Sequence, residues 1–156
     1  MVPSVPSILV PYDATELSVK ALDKAREIAS KMDYTILLLY IVDDTCFYPS
    51  KMVKFISNIE DLKKAKAYFI KSIKEGVEKH MSEEVNKLKK SNIAADYIIK
   101  VGHPADQILA ASRNENVNLI IMGSSGSLKK RHHRKGIGSI SRWISDVAPC
   151  PVVLMR

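Results

Sequence analysis

Five short apolar segments alternate with longer amphipathic segments along this chain. The apolar segments are mostly continuous rather than alternating with polar residues, which is typical of strands that are buried on both faces of a parallel sheet. They are Ser7 to Val10, Tyr34 to Val42, Ala94 to Val101, Leu119 to Met122 and Val152 to Met155. We therefore predict five β-strands.

Between these strands, apolar residues recur at three- and four-residue steps, as in amphipathic helices. The pattern predicts helices that begin at Glu16, Asn58, Pro104 and Ser139, and a loop from Thr45 to Ser57. The helix from Asn58 is the longest, and its apolar stripe predicts that it covers the sheet, with a bend allowed at Gly76. The stripe consists of Leu62, Ala65, Phe69, Ile73, Val77, Met81, Val85 and Leu88.

The repeated order of strand and helix, without a hairpin signal, indicates a doubly wound α/β fold. We predict a five-stranded parallel sheet of order 3-2-1-4-5 with helices on both faces. A length of 156 residues with 46% apolar composition is sufficient for one core, so residues 1-156 are predicted to form a single domain. In such sheets a ligand binds at the carboxyl ends of the strands where their order reverses, here between the first and fourth strands.

Both strands at this reversal end in residues that suit a phosphate site. Pro11-Tyr12-Asp13 follows the first strand, whereas Gly123, Gly126 and Gly138-Ser139 lie between the fourth strand and the last helix. Glycines let the backbone approach a ligand, and the N–H groups at a helix start bind anions. The P-loop ending Gly-Lys-Ser/Thr and the Rossmann pattern Gly-x-Gly-x-x-Gly after the first strand are both missing. The sequence therefore predicts a nucleotide site of another type.

The positive charge of the chain is concentrated in one loop. The net charge is +7, and five positive charges without an acid fall within residues 129 to 135, so the rest of the chain carries only +2. This basic loop could close over a triphosphate, contact an anionic partner or stay solvated. No aromatic residue is interleaved among residues 127 to 137, so a nucleic-acid partner is not expected.

Other classes of protein and site are disfavoured by simple counts. No apolar run reaches the length of a membrane span and the N-terminus lacks the build of a signal peptide, so we expect a cytoplasmic protein without a membrane segment. Cys46 and Cys150 are too few for a disulfide framework. His132 and His133 lack further ligands at metal-binding spacing, so no metal site is expected, and His103 is expected to cap a helix.

Taken together, these residues resemble the universal stress proteins, and in particular their ATP-binding branch. That branch carries Gly-x-x-Gly, nine residues, and then Gly-Ser or Gly-Thr after the fourth strand. Gly123-Ser-Ser-Gly126 and Gly138-Ser139 match this motif, and Pro151 precedes the last strand as in the family. Eleven residues separate Gly126 from Gly138, which we interpret as a two-residue insertion in the basic loop. The resemblance covers the whole chain.

The resemblance implies an adenine-nucleotide α-hydrolase-like fold and a regulatory, stress-response protein that binds ATP, with Mg²⁺ on the phosphates and at most slow hydrolysis. It also implies a homodimer formed through the strand from Val152 to Met155, and protein partners that it does not identify. The implied nucleotide-binding residues are Pro11, Tyr12, Asp13, Ile41, Met122, Gly123, Ser125, Gly126, Gly138, Ser139 and Ile140.

Within that implied set, Asp13 and the Gly123 backbone hold the ribose, and Ile41, Met122 and the backbone near Pro11 and Tyr12 enclose the adenine. Gly126, Gly138, Ser139 and Ile140 hold the phosphates. The side chain of Tyr12 stands where a smaller residue is common, and it could stack on the base or partly block it. No dedicated catalytic base stands beside Ser139 in the sequence, so an enzyme is not expected beyond a weak ATPase.

Several alternatives stay open at this point. Asp13 could cap the first helix and the glycines could only form turns. The chain could be a dimeric stress or interaction protein without a nucleotide, or a nucleotide hydrolase or adenylyl-transfer enzyme with Asp13, Asp43 or Asp44 as its base. Binding of nucleic acid through Lys129 to Lys135 would weaken steeply with salt.

Overall fold

The described part of the chain contains five strands and four helices, which follow one another in strict alternation. The computed structural model describes residues 5–45, 59–114, 116–124 and 137–156; the basic loop, Ser125, Gly126, Cys46 and most of the predicted loop from Thr45 to Ser57 lie outside the described residues. The strands are β1 (Ser7–Pro11), β2 (Thr35–Val42), β3 (Ala95–Val101), β4 (Val117–Gly123) and β5 (Val152–Met155). The helices are α1 (Glu16–Met32), α2 (Ile59–Lys90), α3 (Pro104–Asn114) and α4 (Ser139–Val147).

The sheet has the strand order β3-β2-β1-β4-β5, and all neighbouring strands are parallel. The predicted order 3-2-1-4-5 is therefore confirmed. Leu9 of β1 pairs with Leu37 on one side and with Ile120 on the other, which places β1 and β4 in the middle of the sheet. Their carboxyl ends, Pro11 and Gly123, lie side by side at the reversal of strand order.

Each face of the sheet carries two helices and its own apolar core. Ile8 and Val10 point to the face that α1 and α2 cover, and Leu9 points to the face that α3 and α4 cover. This alternation is the period of two that a strand imposes on its side chains. Ile8, Leu9, Val10, Leu38 and Ile120 are completely buried, as expected for a parallel sheet covered on both sides.

The long helix α2 corrects one prediction about the apolar stripe. Only its second half packs on the sheet: Met81, Val85 and Leu88 are buried, whereas Phe69 is 48% exposed. A helix of 32 residues is about 48 Å long, but a strand of eight residues spans only about 26 Å. The prediction that the whole stripe covers the sheet was therefore wrong for the first half of α2, which extends beyond the sheet.

The middle of α2 and its first half, which overhangs the sheet, show two further features. The helix runs through Gly76, where an added Cβ would meet no atom within 4 Å. Lys66 Nζ lies 2.7 Å from Asp44 Oδ2, and both side chains are partly buried. This ion pair ties the overhanging half of α2 to the end of β2.

Within the described ranges, none of the helices has the length and apolar character that a membrane span requires.

Candidate functional site

Hydrogen bonds to the main chain of Ser124 connect the start of α4 to the end of β4. Gly138 N donates to the Ser124 carbonyl oxygen at 2.6 Å, and Ser141 Oγ donates to the same oxygen at 2.7 Å. Ser124 N in turn donates to the Met155 carbonyl oxygen at 2.8 Å. Ser124 and Ser141 are both buried, so these bonds are shielded from water. The end of β4 therefore fixes where α4 begins and where its first N–H groups point.

The N-terminus of α4 presents main-chain N–H groups without a partner among the described residues. Gly138 is its N-cap and accepts the first helical bond from Arg142 N, but no side chain caps the helix among the described residues. The N–H groups of Ser139 and Ile140 consequently have no partner within the helix. The N–H of Gly138 is already bonded to Ser124, so the N–H groups of Ser139, Ile140 and Ser141 remain without a described partner and are available to an anion.

Gly138 does not need to be glycine for its backbone conformation. Its φ of −64° and ψ of 159° are extended values that any residue adopts. The feature that distinguishes a glycine here is the missing side chain in front of the helix start. That space is what a bound phosphate requires for a close approach to the N–H groups.

Gly123, in contrast, has a structural reason to be glycine. A Cβ added at Gly123 would lie 2.9 Å from Leu17 Cβ, so a larger residue would collide with α1. The close packing of α1 on the end of β4 explains this glycine without a ligand. Its backbone still lies at the carboxyl end of β4, where the ribose contact is implied.

Asp13 lies at the end of β1 and is exposed to solvent. Its Oδ1 accepts from Thr15 N at 3.1 Å and from Thr15 Oγ1 at 2.6 Å. The N-cap of α1 is Thr15, which accepts from Ser18 N. Asp13 is therefore not the helix cap itself but supports the cap, and among the described residues its Oδ2 makes no further hydrogen bond and can accept from a sugar hydroxyl.

The apolar residues implied for the adenine lie on one face of the sheet. Met122 is buried, and Ile41 and Ile140 pack partly buried against the same cluster, which is the one that α3 and α4 cover. Ile41 is the second-last residue of β2 and Ile140 the second residue of α4. Together they form an apolar wall near the carboxyl edge of the sheet.

The Tyr12 side chain lies on the opposite face. It is only 6% exposed, belongs to the cluster under α1 and α2, and stacks on His80 with ring centroids 6.1 Å apart and an interplanar angle of 18°. Burial, and next the nearby Glu84 carboxylate, raise the pKa of the Tyr12 phenol. The expectation that this ring stacks on or blocks a base is not supported by its position. The backbone of Pro11 and Tyr12 lies at the carboxyl end of β1, next to Asp13.

A cavity of about 520 Å³ opens between the first turns of α3 and α4. It contains a pair of residues that the sequence reading missed: His103 Nδ1 lies 3.7 Å from Asp106 Oδ2. The His103 carbonyl accepts from Gln107 N, so His103 has the expected cap position in its backbone, but its side chain lines the cavity. The sequence contained a signal for His103 as a site residue, because this residue follows the carboxyl end of β3, where ligands bind in such sheets. The lining residues are His103, Ala105, Asp106, Ser139, Ile140 and Trp143.

The acids proposed as catalytic bases from the sequence are engaged elsewhere. Asp44 is paired with Lys66, and Asp43 Oδ1 accepts from Thr45 N and Thr45 Oγ1. In the described part of the chain, no group of three or more His, Cys, Asp or Glu residues is arranged to hold a metal ion. Cys150 is a free cysteine, and burial raises the pKa of its thiol, which makes it less reactive.

Comparisons with known proteins agree with this architecture. The profile of the universal stress protein family matches residues 5–156. The universal stress protein YxiE of Bacillus subtilis is 27% identical over 155 residues, which cover 96% of this chain and 97% of that protein. The structure of the universal stress protein UspA from Lactobacillus plantarum has a TM-score of 0.79 at 24% identity and covers 97% of both chains.

A universal stress protein from Archaeoglobus fulgidus, solved in complex with dAMP, has a TM-score of 0.59 at 16% identity and covers 97% of this chain and 98% of its own. At these identities the two solved structures show the fold. The family profile, however, spans the sheet, all four helices and both strand ends described above. The chain therefore belongs to the universal stress protein family.

Proposed function

We propose that this protein binds ATP at the carboxyl edge of the sheet, between the ends of β1 and β4 and the start of α4, and that it acts as a regulatory nucleotide-binding protein. The observation that carries the proposal is the N-terminus of α4, which no described side chain caps and which Ser124 holds beside the end of β4. Its free N–H groups and the positive end of the helix dipole favour a phosphate.

The surrounding residues suit the other parts of the nucleotide. The wall of Ile41, Met122 and Ile140 offers an apolar surface for a base, and Asp13 Oδ2 offers an acceptor for a ribose hydroxyl. A relative with the same fold has been solved with dAMP, another adenine nucleotide. These features support an adenine nucleotide as the ligand.

Mg²⁺ would enter with the phosphates rather than in a site made by protein ligands. Mg²⁺ in nucleotide sites is usually held by phosphates with one or two carboxylates. The described residues offer single carboxylates at the strand ends, such as Asp13, and no preformed cluster. We also propose a cytoplasmic location, where ATP is abundant and the free thiol of Cys150 stays reduced.

Calorimetric titration with ATP, with and without Mg²⁺, tests the proposal. Wild-type protein stripped of nucleotide is expected to bind in the micromolar range, on the order of −8 kcal/mol. Gly138→Val is expected to lower the affinity at least about tenfold, or by about 1.4 kcal/mol, because the added side chain fills the space in front of Ser139 N and Ile140 N.

The matched control is Gly76→Val on α2. This exposed glycine is distant in the chain from the strand ends, and the space around its Cβ is open, so ATP affinity should not change. Absence of binding by the wild type would refute the ATP proposal and would leave a dimeric interaction protein as the better description of the chain.

We further propose that two copies associate through β5. This strand pairs with β4 on one side, and no described strand covers its other side. The Pro151 and Met155 carbonyls accept from β4 and from Ser124, so the backbone groups of Val152 and Leu154 point to the open edge. An open edge with four apolar residues is a surface that a second copy can pair with.

Leu154→Pro is expected to convert the dimer to a monomer, because proline removes an N–H that points to the open edge while β4 pairing is kept. The association state is measured by sedimentation velocity or light scattering. Leu154→Ala is the control, because it removes the same side-chain packing but retains the N–H, and it should stay dimeric. A proline variant that remains a dimer would locate the interface elsewhere.

A further inference from the structure

We infer, on the basis of the proposed ATP site, that His103 is a general base for hydrolysis of the terminal phosphate and that Asp106 orients its ring. Their cavity is the same one that Ser139 and Ile140 line. These two residues carry N–H groups without a described partner at the start of α4. A phosphate bound there lies in a cavity that is also lined by an imidazole.

The dimensions of the cavity suit a phosphate and a water molecule together. The cavity of about 520 Å³ has room for a phosphate group together with a water molecule, whose share of liquid volume is about 30 Å³. The His103 side chain is about half exposed and lines the cavity, and its Nδ1 is the ring nitrogen on the Asp106 side. Trp143 and Ala105 add apolar surface to the lining.

The separation of 3.7 Å between His103 Nδ1 and Asp106 Oδ2 is an ion-pair distance slightly longer than a hydrogen bond. Such spacing is usual for catalytic pairs without substrate, and it shortens when the site fills. A carboxylate beside Nδ1 favours the tautomer that has its proton on Nδ1. In that tautomer the lone pair that can accept a proton is on Nε2.

In the proposed step, Nε2 of His103 accepts a proton from a water molecule as the water oxygen attacks the terminal phosphorus of ATP. A bond forms between the water oxygen and this phosphorus. The bond to the bridging oxygen breaks, and that oxygen leaves with its electron pair on ADP. The products are ADP and inorganic phosphate, and the proton on His103 returns to solvent.

No other described group competes convincingly for this role. Asp44 is neutralised by Lys66, and Asp43 and Asp13 each use one carboxylate oxygen to hold a threonine. These acids follow β1 and β2, whereas the cavity beside Ser139 is lined by His103 and Asp106. The sequence allowed a nucleotide hydrolase with Asp13, Asp43 or Asp44 as its base. In the present inference the base is His103 instead.

Two measurements on the full chain test the inference. The first uses Trp143, the single tryptophan of the protein, which is 40% exposed in the cavity. Its fluorescence should shift or be quenched when a non-hydrolysable ATP analogue binds. The second is ATP turnover under single-turnover conditions, with the ATP dissociation constant measured on the same samples.

His103→Ala should lower turnover about 100-fold or more while the dissociation constant stays within about twofold, and added imidazole should restore part of the rate. A purely structural role for His103 would not produce rescue by imidazole. Asp106→Asn should lower turnover by a smaller factor, and Asp146→Asn, an exposed acid on the same side of the sheet in α4, should leave it unchanged.

The outcomes separate this inference from the proposed function. If wild-type protein binds ATP but does not hydrolyse it, or if His103→Ala turns over ATP at the wild-type rate, the role of His103 is refuted and ATP binding stands. If neither calorimetry nor Trp143 fluorescence detects nucleotide binding, both are refuted.

Discussion

Replacing Ile120 by alanine is expected to lower the free energy of unfolding by about 3–4 kcal/mol. Ile120 is completely buried in the middle of β4, between Leu9 of β1 and Val152 of β5. Its side chain packs in the cluster under α3 and α4. Alanine leaves a cavity that close-packed neighbours fill only in part. A loss of this size is a large fraction of the 5–15 kcal/mol that is typical of a domain.

Urea denaturation measures this effect through the transition midpoint, and an unchanged slope would indicate that the unfolded state is unaffected. Ile120→Val is the matched control and should cost only about 0.5–1.5 kcal/mol, because it removes one methylene from the same position. An alanine variant as stable as the valine variant would mean that the strand centre repacks freely, contrary to the described core.

Met81→Ala is expected to cost about 2–5 kcal/mol, whereas Tyr68→Ala on the same helix should change stability by less than about 0.5 kcal/mol. Met81 is completely buried between α2 and the sheet, and Tyr68 is 78% exposed on the overhanging half. The comparison tests whether α2 contributes to the core only through its second half.

Thermal or urea unfolding of the two variants provides the measurement, and far-ultraviolet circular dichroism checks that both remain helical. Equal losses for Met81→Ala and Tyr68→Ala would contradict the overhang of α2. Such a result would place the first half of the helix against another part of the protein or against a partner.

The sheet could be predicted because its strands leave strong local signals. Continuous apolar runs bounded by Pro, Gly or Asp identify buried parallel strands, and the absence of hairpin turns excludes antiparallel pairing. The helix α4 begins at Ser139, as predicted, since a glycine precedes this residue, and it ends at Val147, shortly before Pro149. The reversal between β1 and β4 then follows from the strand order, as does the side-by-side position of Pro11 and Gly123.

The extent of α2 on the sheet could not be predicted in the same way. A helical stripe shows which face of a helix is apolar, but it contains no information on the length of the sheet beneath it. Val77 and Phe69 are equivalent in the pattern, yet only Val77 packs against the core cluster under α1 and α2. The difference follows from the rise per residue, which is less than half as large in a helix as in a strand.

The contents of the candidate site depend on contacts between distant parts of the chain. His103 and Ser139 are 36 positions apart, and only the packing of α3 beside α4 brings them to one cavity. The face of the sheet on which the Tyr12 side chain lies could be predicted from the local sequence, because Ile8, Val10 and Tyr12 alternate along one side of a strand. Placing Ile41 on the other side requires the pairing of β1 with β2, which the sequence pattern does not contain.

The peptide of Ser124 connects the strand edge proposed for association to the helix end proposed for ATP. Its N–H is bonded to the last residue of β5, and its carbonyl is bonded to Gly138 and Ser141 at the start of α4. A displacement of β5 therefore moves the phosphate donors through one buried link. By thermodynamic linkage, if ATP changes the association constant of two copies by some factor, association changes the affinity for ATP by the same factor.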